Sequence, residues 1–575
     1  MSPQPRTKGS EEVISTDVLV IGGGIAGLCA AVRAKENGAD VLAVDKGGIG
    51  WAGQVPISGG HIAIIRPERV QEFFEFTVRD GEFLNNQDWS YQFSKESYKS
   101  LMDLNGLNFP FTKTGDTPTI LTRQQYFDHV RFNPARSLIN LKASALSKGV
   151  KTLDKVYMID LLRRDGKVAG AIGFGLADNK TYVFHAKAVI IANGSCRYKR
   201  QKLFVANAGE GPAMAYRAGA QLTNAEFANT YGYEIKVVGM YHRHPMYLFF
   251  ENARGENIIA KHYPQVLVGR EPGKEYQDFW QITDAMAKEV EAGLGPIYLN
   301  LGKLSPEERN IAKGGTVAAE IRSQMGAQLR AELFRLLETK AGIDPDKGKI
   351  EVQPMFVGAQ GPIRIDLNCR TTLDGLWAVG DASSLGSGWT GARASGTHPG
   401  GSIGFAVVSG FKAGQSAAEF ATTTQKQKVT AAEVKMAKKR IFAPLGRAGD
   451  VGVRDVMYQT HEAIVPIKYN FHRERGRLKE ALVIVETAKQ NLARVGAKDH
   501  HELSKYHQAE SIALAAEWVV RSSLLREESR GTHQREDFPR KDDKNWLKWV
   551  VIQDRSGSVQ LSTEPVPIEK YRLKP

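Results

Sequence analysis

The stretch from Asp17 to Asp45 limits what this chain can fold into more than any other. An apolar run, DVLVIGG, enters a turn that places Gly22, Gly24 and Gly27 in GxGxxG spacing. An alanine-rich segment, IAGLCAAVRAKENG, follows and closes on a glycine, and a second apolar run, ADVLAVD, begins at once. That succession predicts strand, helix and parallel strand, the opening βαβ unit of a doubly wound sheet. The first glycine permits the tight turn, the second lets backbone approach a pyrophosphate, and the third lets the helix pack against the sheet. Asp45 ends the second strand, where a carboxylate accepts both ribose hydroxyls, and an acid there disfavours a 2′-phosphate. A glycine turn with no ligand would share the spacing but would not need the acid.

Two later runs predict further strands of the same sheet: HAKAVIIANGS, residues 185–195, and GLWAVGDA, residues 375–382. Continuous apolar runs ending in Gly or Asn suit strands covered on both faces. Between them, from Glu226 to about Lys349, lies a polar, aromatic-rich stretch and then a helical pattern, TVAAEIRSQMGAQLRAELFRLLETKAG, which predicts an inserted domain. From about Thr430 the pattern changes to long amphipathic helices, notably ELSKYHQAESIALAAEWVVRSSLLREESRG, and predicts a helical bundle. The segment from Gln534 onward, rich in Pro, Lys and Asp, is expected to wrap over the surface.

With 575 residues, 42% hydrophobic and 24% charged, the chain has the composition of a globular protein of about three or four structural units. It has no run of about 20 apolar residues, and its opening, MSPQPRTKGSEEV, lacks a secretory core, so a cytoplasmic protein without a transmembrane segment is expected. Cys29, Cys196 and Cys369 are far apart and form no CxxC pair. No metal site is therefore expected, and any further redox centre belongs on another chain. The net charge of +14 suits nucleic acid, an acidic protein or an anionic substrate, but the basic residues are spread along the chain and no nucleic-acid motif accompanies them.

FAD is favoured over NAD by a second glycine pair, ISGG at residues 57–60, and by Gly380 and Asp381 at the end of a late strand. The run GTHPGGSIG, residues 396–404, then opens a helix whose N-terminus would point at the flavin pyrimidine ring and stabilise negative charge on the reduced flavin. A plain glycine-rich turn is the alternative there. Residues expected around FAD are Gly22, Gly24, Gly27, Asp45, Lys46, Ser58, Gly59, Gly60, Ala192, Gly194, Gly380 and Asp381. The fold class expected is α/β: a Rossmann-like FAD-binding domain (1–225 and 350–425) with an inserted α+β capping domain (226–349), a C-terminal helical domain (426–533) and an extension (534–575).

In this order, DVLVIGGGIAGL, ISGG, AVIIANGS, GEGPAMAYRAGA, ARGEN, GPIYLNL, TLDGLWAVGDAS, GGSIGFAVVSGFKAG and LREESRGTHQREDFP resemble the fumarate reductase and succinate dehydrogenase flavoprotein superfamily, which includes L-aspartate oxidase and the adenylylsulfate reductase alpha subunit. The resemblance covers nearly the whole chain and implies a substrate lying between flavin and cap. It puts Glu210 near the adenosine, Asp381 in the flavin-contacting Gly-Asp/Glu pair, and Ser402 with Ile403 at a Ser-Leu flavin contact. It matches Arg254 to the arginine of RGEGG, implied to deliver a proton, with Glu256 orienting it or relaying that proton. An always-charged guanidinium also binds an anion readily, and a salt-bridged cap arginine is the plainer alternative.

Departures from the family pattern narrow the substrate. Gly53 stands where covalent members carry histidine, which implies noncovalent FAD. Val357 stands at a substrate histidine, a cap motif gives way to Asn229, Thr230 or Tyr231, and Thr397 and His398 occupy the neighbourhood of a lost carboxylate-gripping arginine. One missing bidentate contact costs about 1.5 to 3 kcal/mol, so a C4 dicarboxylate fits poorly. The same departures, and GEFLNNQDWSYQFSKESYKSLMDLNGLNF, bring the chain nearer to adenylylsulfate reductase alpha. Arg254, Glu256, His398 and Tyr231 are the catalytic candidates, with an ordinary turn histidine as the other reading of His398. His242 and His244 fit a surface loop better than a metal site. Arg530, His533 and Arg535 fit structural salt bridges, and Trp51 either stacks on the flavin or sits in the core.

These readings converge on an FAD-dependent oxidoreductase, the flavoprotein subunit of an enzyme acting on an anionic organic or sulfur-containing substrate. The resemblance also implies a ferredoxin-like iron-sulfur partner, and contact between copies through the helical domain is compatible with it. The rivals are a self-sufficient FAD oxidase or dehydrogenase, and a flavin-binding electron-relay subunit without substrate chemistry.

Overall fold

The computed structural model describes residues 10–122, 127–199, 207–227, 231–237, 240–242, 249–266, 279–306, 335–344, 347–356, 362–383 and 401–575. Its central sheet is built from β1 (Glu11–Ile21), β2 (Val41–Asp45), β3 (Lys151–Asp154), β4 (Val156–Arg164), β5 (Lys167–Gly175), β6 (Thr181–Ile191) and β7 (Leu376–Ala378). The order is β3-β2-β1-β6-β5-β4, with β7 also on β6. Strands β3, β2, β1, β6 and β7 run parallel, whereas β5 pairs antiparallel with the first half of β6 and with β4. The expected βαβ opening is present, with α1 (Ile25–Glu36) between β1 and β2. Strand β1 begins earlier than its apolar run because EEVIST, largely exposed on alternate residues, pairs along the start of β6.

Helix α1 is buried over most of its surface because α2 (Gly401–Thr423) crosses it closely. Small residues make the crossing possible: a Cβ on Gly410 would lie 2.5 Å from the Ala26 carbonyl, and one on Gly414 would lie 2.3 Å from that of Ala30. Leu28, Val32, Phe405 and Val408 of these two helices are buried in the main core, at roughly 1.5–3 kcal/mol per large side chain.

The inserted unit has its own antiparallel sheet, in the order Met240–His242, Tyr231–Ile235, Lys349–Phe356, Ile297–Asn300, Phe250–Glu251, and its own core. Lys349–Phe356 pairs on both sides within that sheet, so the unit runs past the expected boundary at 349. Helix Phe279–Glu291 packs on this sheet. The long helical pattern at 316–342 lies outside the described residues except from Arg335 onward.

In the helical unit, Val453–Ile464, Arg475–Leu492 and His500–Leu525 pack on one another. The expected amphipathic helix, His500–Leu525, is instead buried nearly all round, because the flavin unit covers its second side through contacts such as Trp518 on Tyr216. The C-terminal segment does more than wrap: Lys548–Arg555 and Ser558–Pro565 form a hairpin whose first strand pairs with Leu222–Thr223 and buries Val550 and Ile552. No described helix is long and apolar enough to cross a membrane.

Candidate active site

A cavity of about 450 Å³ opens at the carboxyl ends of β2, β1, β6 and β7, where doubly wound sheets bind ligands. The backbone is shaped for it. Gly22 adopts φ +119°, which only glycine takes without strain, and a Cβ there would lie 2.6 Å from the Ala192 carbonyl. A Cβ on Gly27 would lie 1.9 Å from the Gly22 carbonyl oxygen. Gly24, the N-cap of α1, has nothing within 4 Å of its Cβ position, so the space before the helix N-terminus is open. Unsatisfied N–H groups and the helix dipole favour an anion there.

At one end, Asp45 accepts from Gly23 N at 2.7 Å and Gly47 N at 2.6 Å, one bond on each oxygen, which fixes the carboxylate and leaves acceptor capacity on both. Beside it, Lys46 forms an ion pair with buried Glu210, which also accepts from Tyr157 Oη at 3.1 Å and Ala208 N at 3.2 Å. Burial pushes the Glu210 carboxyl up, but the Lys46 charge and these bonds outweigh it and hold it below its ordinary value. Burial and the Glu210 charge both push the Tyr157 hydroxyl well above its ordinary value. Gln508, from the helical unit, bonds to Lys199 next to this network.

At the other end lie Gly380, Asp381, and Ser402 with Ile403 from the first turn of α2. Arg197 Nη2 lies 3.7 Å from Asp381 Oδ2, beyond hydrogen-bond length. Asp381 Oδ1 and Asn193 Oδ1 are buried acceptors with no hydrogen-bond partner. Burial raises the Asp381 carboxyl despite Arg197, and burial lowers the Arg197 guanidinium.

The expected cofactor residues line this cavity with two exceptions. Gly27 serves the close approach just described, and Gly60 packs against Phe132 and Pro134. Sequence reasoning missed Gln54, Val156, Tyr157, Met158, Asn193 and Asn207, which also line it. Asn193 lies inside AVIIANGS and was reachable; Tyr157 and Asn207 carry no local signal. Trp51 neither lines the cavity nor enters the core, being 73% exposed.

Of the catalytic candidates, Arg254 and Glu256 share one loop, where the Arg254 charge helps to lower the Glu256 carboxyl. Arg254 is exposed and does not line the cavity. Its loop is ordered by buried Asn252, which accepts from Arg254 N and Glu256 N, each at 3.0 Å, and donates to Glu256 Oε2 and Glu289 Oε2, each at 2.7 Å. Glu256 is exposed and pairs with Lys261 at 3.1 Å; the bonds from Asn252 and Lys261 hold its carboxyl below the ordinary value. Tyr231 pairs with Phe356 in the inserted sheet. His398, Thr397, Val357, Asn229, Thr230 and His244 lie outside the described residues. Arg530 and Arg535 are buried and ion-paired with Glu528, Asp543 and Asp537, as their structural reading expects, whereas buried His533 bonds the Arg473 guanidinium and the Arg526 carbonyl instead.

Residues 17–403 match the FAD binding domain family, and residues 462–575 match the family described as fumarate reductase flavoprotein C-term. The chain belongs to this flavoprotein family. It is an FAD-dependent oxidoreductase of the fumarate reductase and succinate dehydrogenase type. The fumarate reductase flavoprotein subunit of Mycobacterium tuberculosis H37Rv is 27% identical over 598 residues, covering 96% of this chain and 98% of that one. The FrdA structure of Escherichia coli quinol fumarate reductase superposes with TM-score 0.80 at 22% identity, covering 98% of each chain. Adenylylsulfate reductase from Archaeoglobus fulgidus superposes with TM-score 0.76 at 21% identity, again covering 98% of each. Both structures show the same fold.

FAD fits the cavity on three counts: the open approach at Gly24, the fixed Asp45 carboxylate, and the unpartnered buried acceptors on Asp381 and Asn193.

Proposed function

We propose that this flavoprotein is the substrate-handling subunit of a two-electron oxidoreductase acting on an anionic organic or sulfur-containing small molecule. It exchanges electrons with a separate, ferredoxin-like iron-sulfur subunit. The observation that carries this reading is the cysteine distribution: Cys29, Cys196 and Cys369 are dispersed, buried and pushed up as thiols by burial, so electrons leaving the flavin have no cluster in this chain to enter. The M. tuberculosis relative is itself named a flavoprotein subunit.

Bound FAD supplies the two-electron centre. Asp45 holds the adenosine ribose, with Lys46 and Glu210 beside it; the N-terminus of α1 at Gly24 meets the diphosphate. Asp381 takes flavin-side hydroxyl groups, and the N-terminus of α2 at Ser402 and Ile403 favours negative charge near the ring. Gly53, where covalent members carry histidine, lines the cavity, which supports noncovalent binding. The flavin unit comprises 1–225 and a second part from about 357 to 425, the cap lies between them, and the helical unit follows from 426. Arg254 and Glu256, with Tyr231, serve the substrate from the cap side, and His398 serves it from the flavin side. The altered anchors at Val357 and Thr397 favour a sulfur oxyanion or a small organic anion over a C4 dicarboxylate.

Gentle purification from the native host, acid precipitation and mass spectrometry of co-purifying proteins test this together. Free FAD in the supernatant and an iron-sulfur protein in the complex are expected. Flavin left in the pellet overturns noncovalent binding, and sustained turnover of the lone chain with oxygen overturns the two-subunit reading.

A further inference from the structure

Helix Phe279–Glu291 faces its own sheet with Ile282, Ala285 and Met286 and carries Asp284 and Glu291 two turns apart. Both reach His472, which belongs to the helical unit. His472 Nε2 lies 3.1 Å from Asp284 Oδ1, and Nδ1 lies 2.9 Å from Glu291 Oε2. Both bonds join the inserted unit, 231–356, to the helical unit.

The arrangement dictates a protonation state. Ionised carboxylates only accept, so both ring nitrogens must donate, and only imidazolium donates from both. A neutral ring would turn a lone pair toward one carboxylate. Asp284 is held ionised from other sides as well, by Lys288 at 2.6 Å and by the Tyr263 hydroxyl. Glu536 is the remaining acid facing the ring, 3.9 Å from Nδ1 and itself paired with Arg477. The neighbouring Arg473 turns away, toward the carbonyls of Asn470 and Glu226 and the His533 ring.

We infer that His472, as imidazolium, is a positioning residue that clasps the inserted unit to the helical unit, and that the clasp loosens when the ring loses its proton. Burial works against the charged ring, yet Asp284 and Glu291 outweigh it and raise its pKa above the ordinary histidine value. The stabilisation is therefore fully present below that ordinary value and is lost as pH rises through the raised one. Burial of Asp284 is likewise outweighed by His472, Lys288 and Tyr263, which keep that carboxyl low.

The clasp reaches the Arg254 loop through one more residue of the same helix. Glu289 holds Asn252, and Asn252 holds the backbone of Arg254 and Glu256. This last link rests on the proposed role of Arg254; the clasp itself does not.

Hydrogen exchange of the full, FAD-loaded chain between about pH 5.5 and 9, corrected for intrinsic rates, tests the clasp without any substrate. The amides of helix Phe279–Glu291 should lose about tenfold in protection across the transition, the equivalent of one charge-assisted hydrogen bond. In His472→Gln protection should be low and flat with pH. Glu291→Gln, at a more exposed position, should move the wild-type midpoint to lower pH and serves if the histidine variant fails to fold. Protection that is flat with pH in the wild type, or a Glu291→Gln midpoint that does not move, overturns the proposal. Arg254→Ala should abolish turnover with the helix protection unchanged; if turnover survives while the exchange profile holds, the reading of Arg254 fails and the clasp stands.

Discussion

Asp381 and Arg197 face each other across 3.7 Å at the α2 end of the cavity, too far for a hydrogen bond and with Asp381 Oδ1 unpartnered. A buried acceptor left in this state costs about 1–3 kcal/mol. The proposed role of Asp381 toward the flavin would supply the missing donor. Burial raises the Asp381 carboxyl, so its contribution to stability is present at low pH and declines as pH rises through the raised value. Asp381→Asn removes the titrating carboxyl and should therefore flatten that decline. The same substitution should weaken FAD binding by roughly tenfold, the worth of a charge-assisted hydrogen bond. Thermal unfolding with and without FAD reads both effects.

Arg526 is fully buried and bonds Glu226 Oε1 at 2.8 Å, Glu528 Oε1 at 2.7 Å and the carbonyls of Trp546 and Lys548. Arg526→Met strands the buried Glu226 carboxylate, while Glu528 keeps Arg530, and should cost about 3–5 kcal/mol. Burial already raises the Glu226 carboxyl even with Arg526 present. The variant should accordingly recover stability as pH falls, since protonation relieves the uncompensated charge. Urea unfolding at two pH values checks the sign.

The α1–α2 crossing predicts a purely steric effect. Gly410→Ala places a methyl group 2.5 Å from the Ala26 carbonyl oxygen, and backbone cannot yield as a side chain would. The helices must separate, at a cost of about 1–3 kcal/mol. Because α1 also carries the Gly24 N-terminus and α2 carries Ser402, FAD affinity should fall along with the melting temperature, measured on the same samples.

The flavin sheet was legible because its strands are short continuous apolar runs, and because Gly22, Gly24, Gly27 and Asp45 sit where only one arrangement uses all four. Less was legible where the signal is not local. Lys349–Phe356 is a central strand of the inserted sheet, but Pro354 and its polar alternation hide that role in the sequence. Helix His500–Leu525 reads as amphipathic because its polar residues, Gln508 among them, are satisfied by partners distant in sequence rather than by water. Tyr157 and the His472 clasp likewise exist only through tertiary contact. Arg254 shows the reverse limit: the motif identifies the loop, and Asn252 explains its shape, but the spacing says nothing of how far the guanidinium stands from the cavity.

The most direct test of the central claim, that the cavity before α1 holds the FAD diphosphate, is the FAD dissociation constant of Gly24→Ala. Gly24 has φ −73° and ψ −177°, which alanine adopts freely, and its Cβ position is empty to 4 Å. The added methyl therefore meets no protein atom and should leave the FAD-free protein folded with its melting temperature nearly unchanged. It would stand where the diphosphate approaches the backbone, and affinity should fall by about tenfold or more, the loss of one charge-assisted contact. A Gly24→Ala protein that folds and binds FAD as tightly as the wild type would contradict the account.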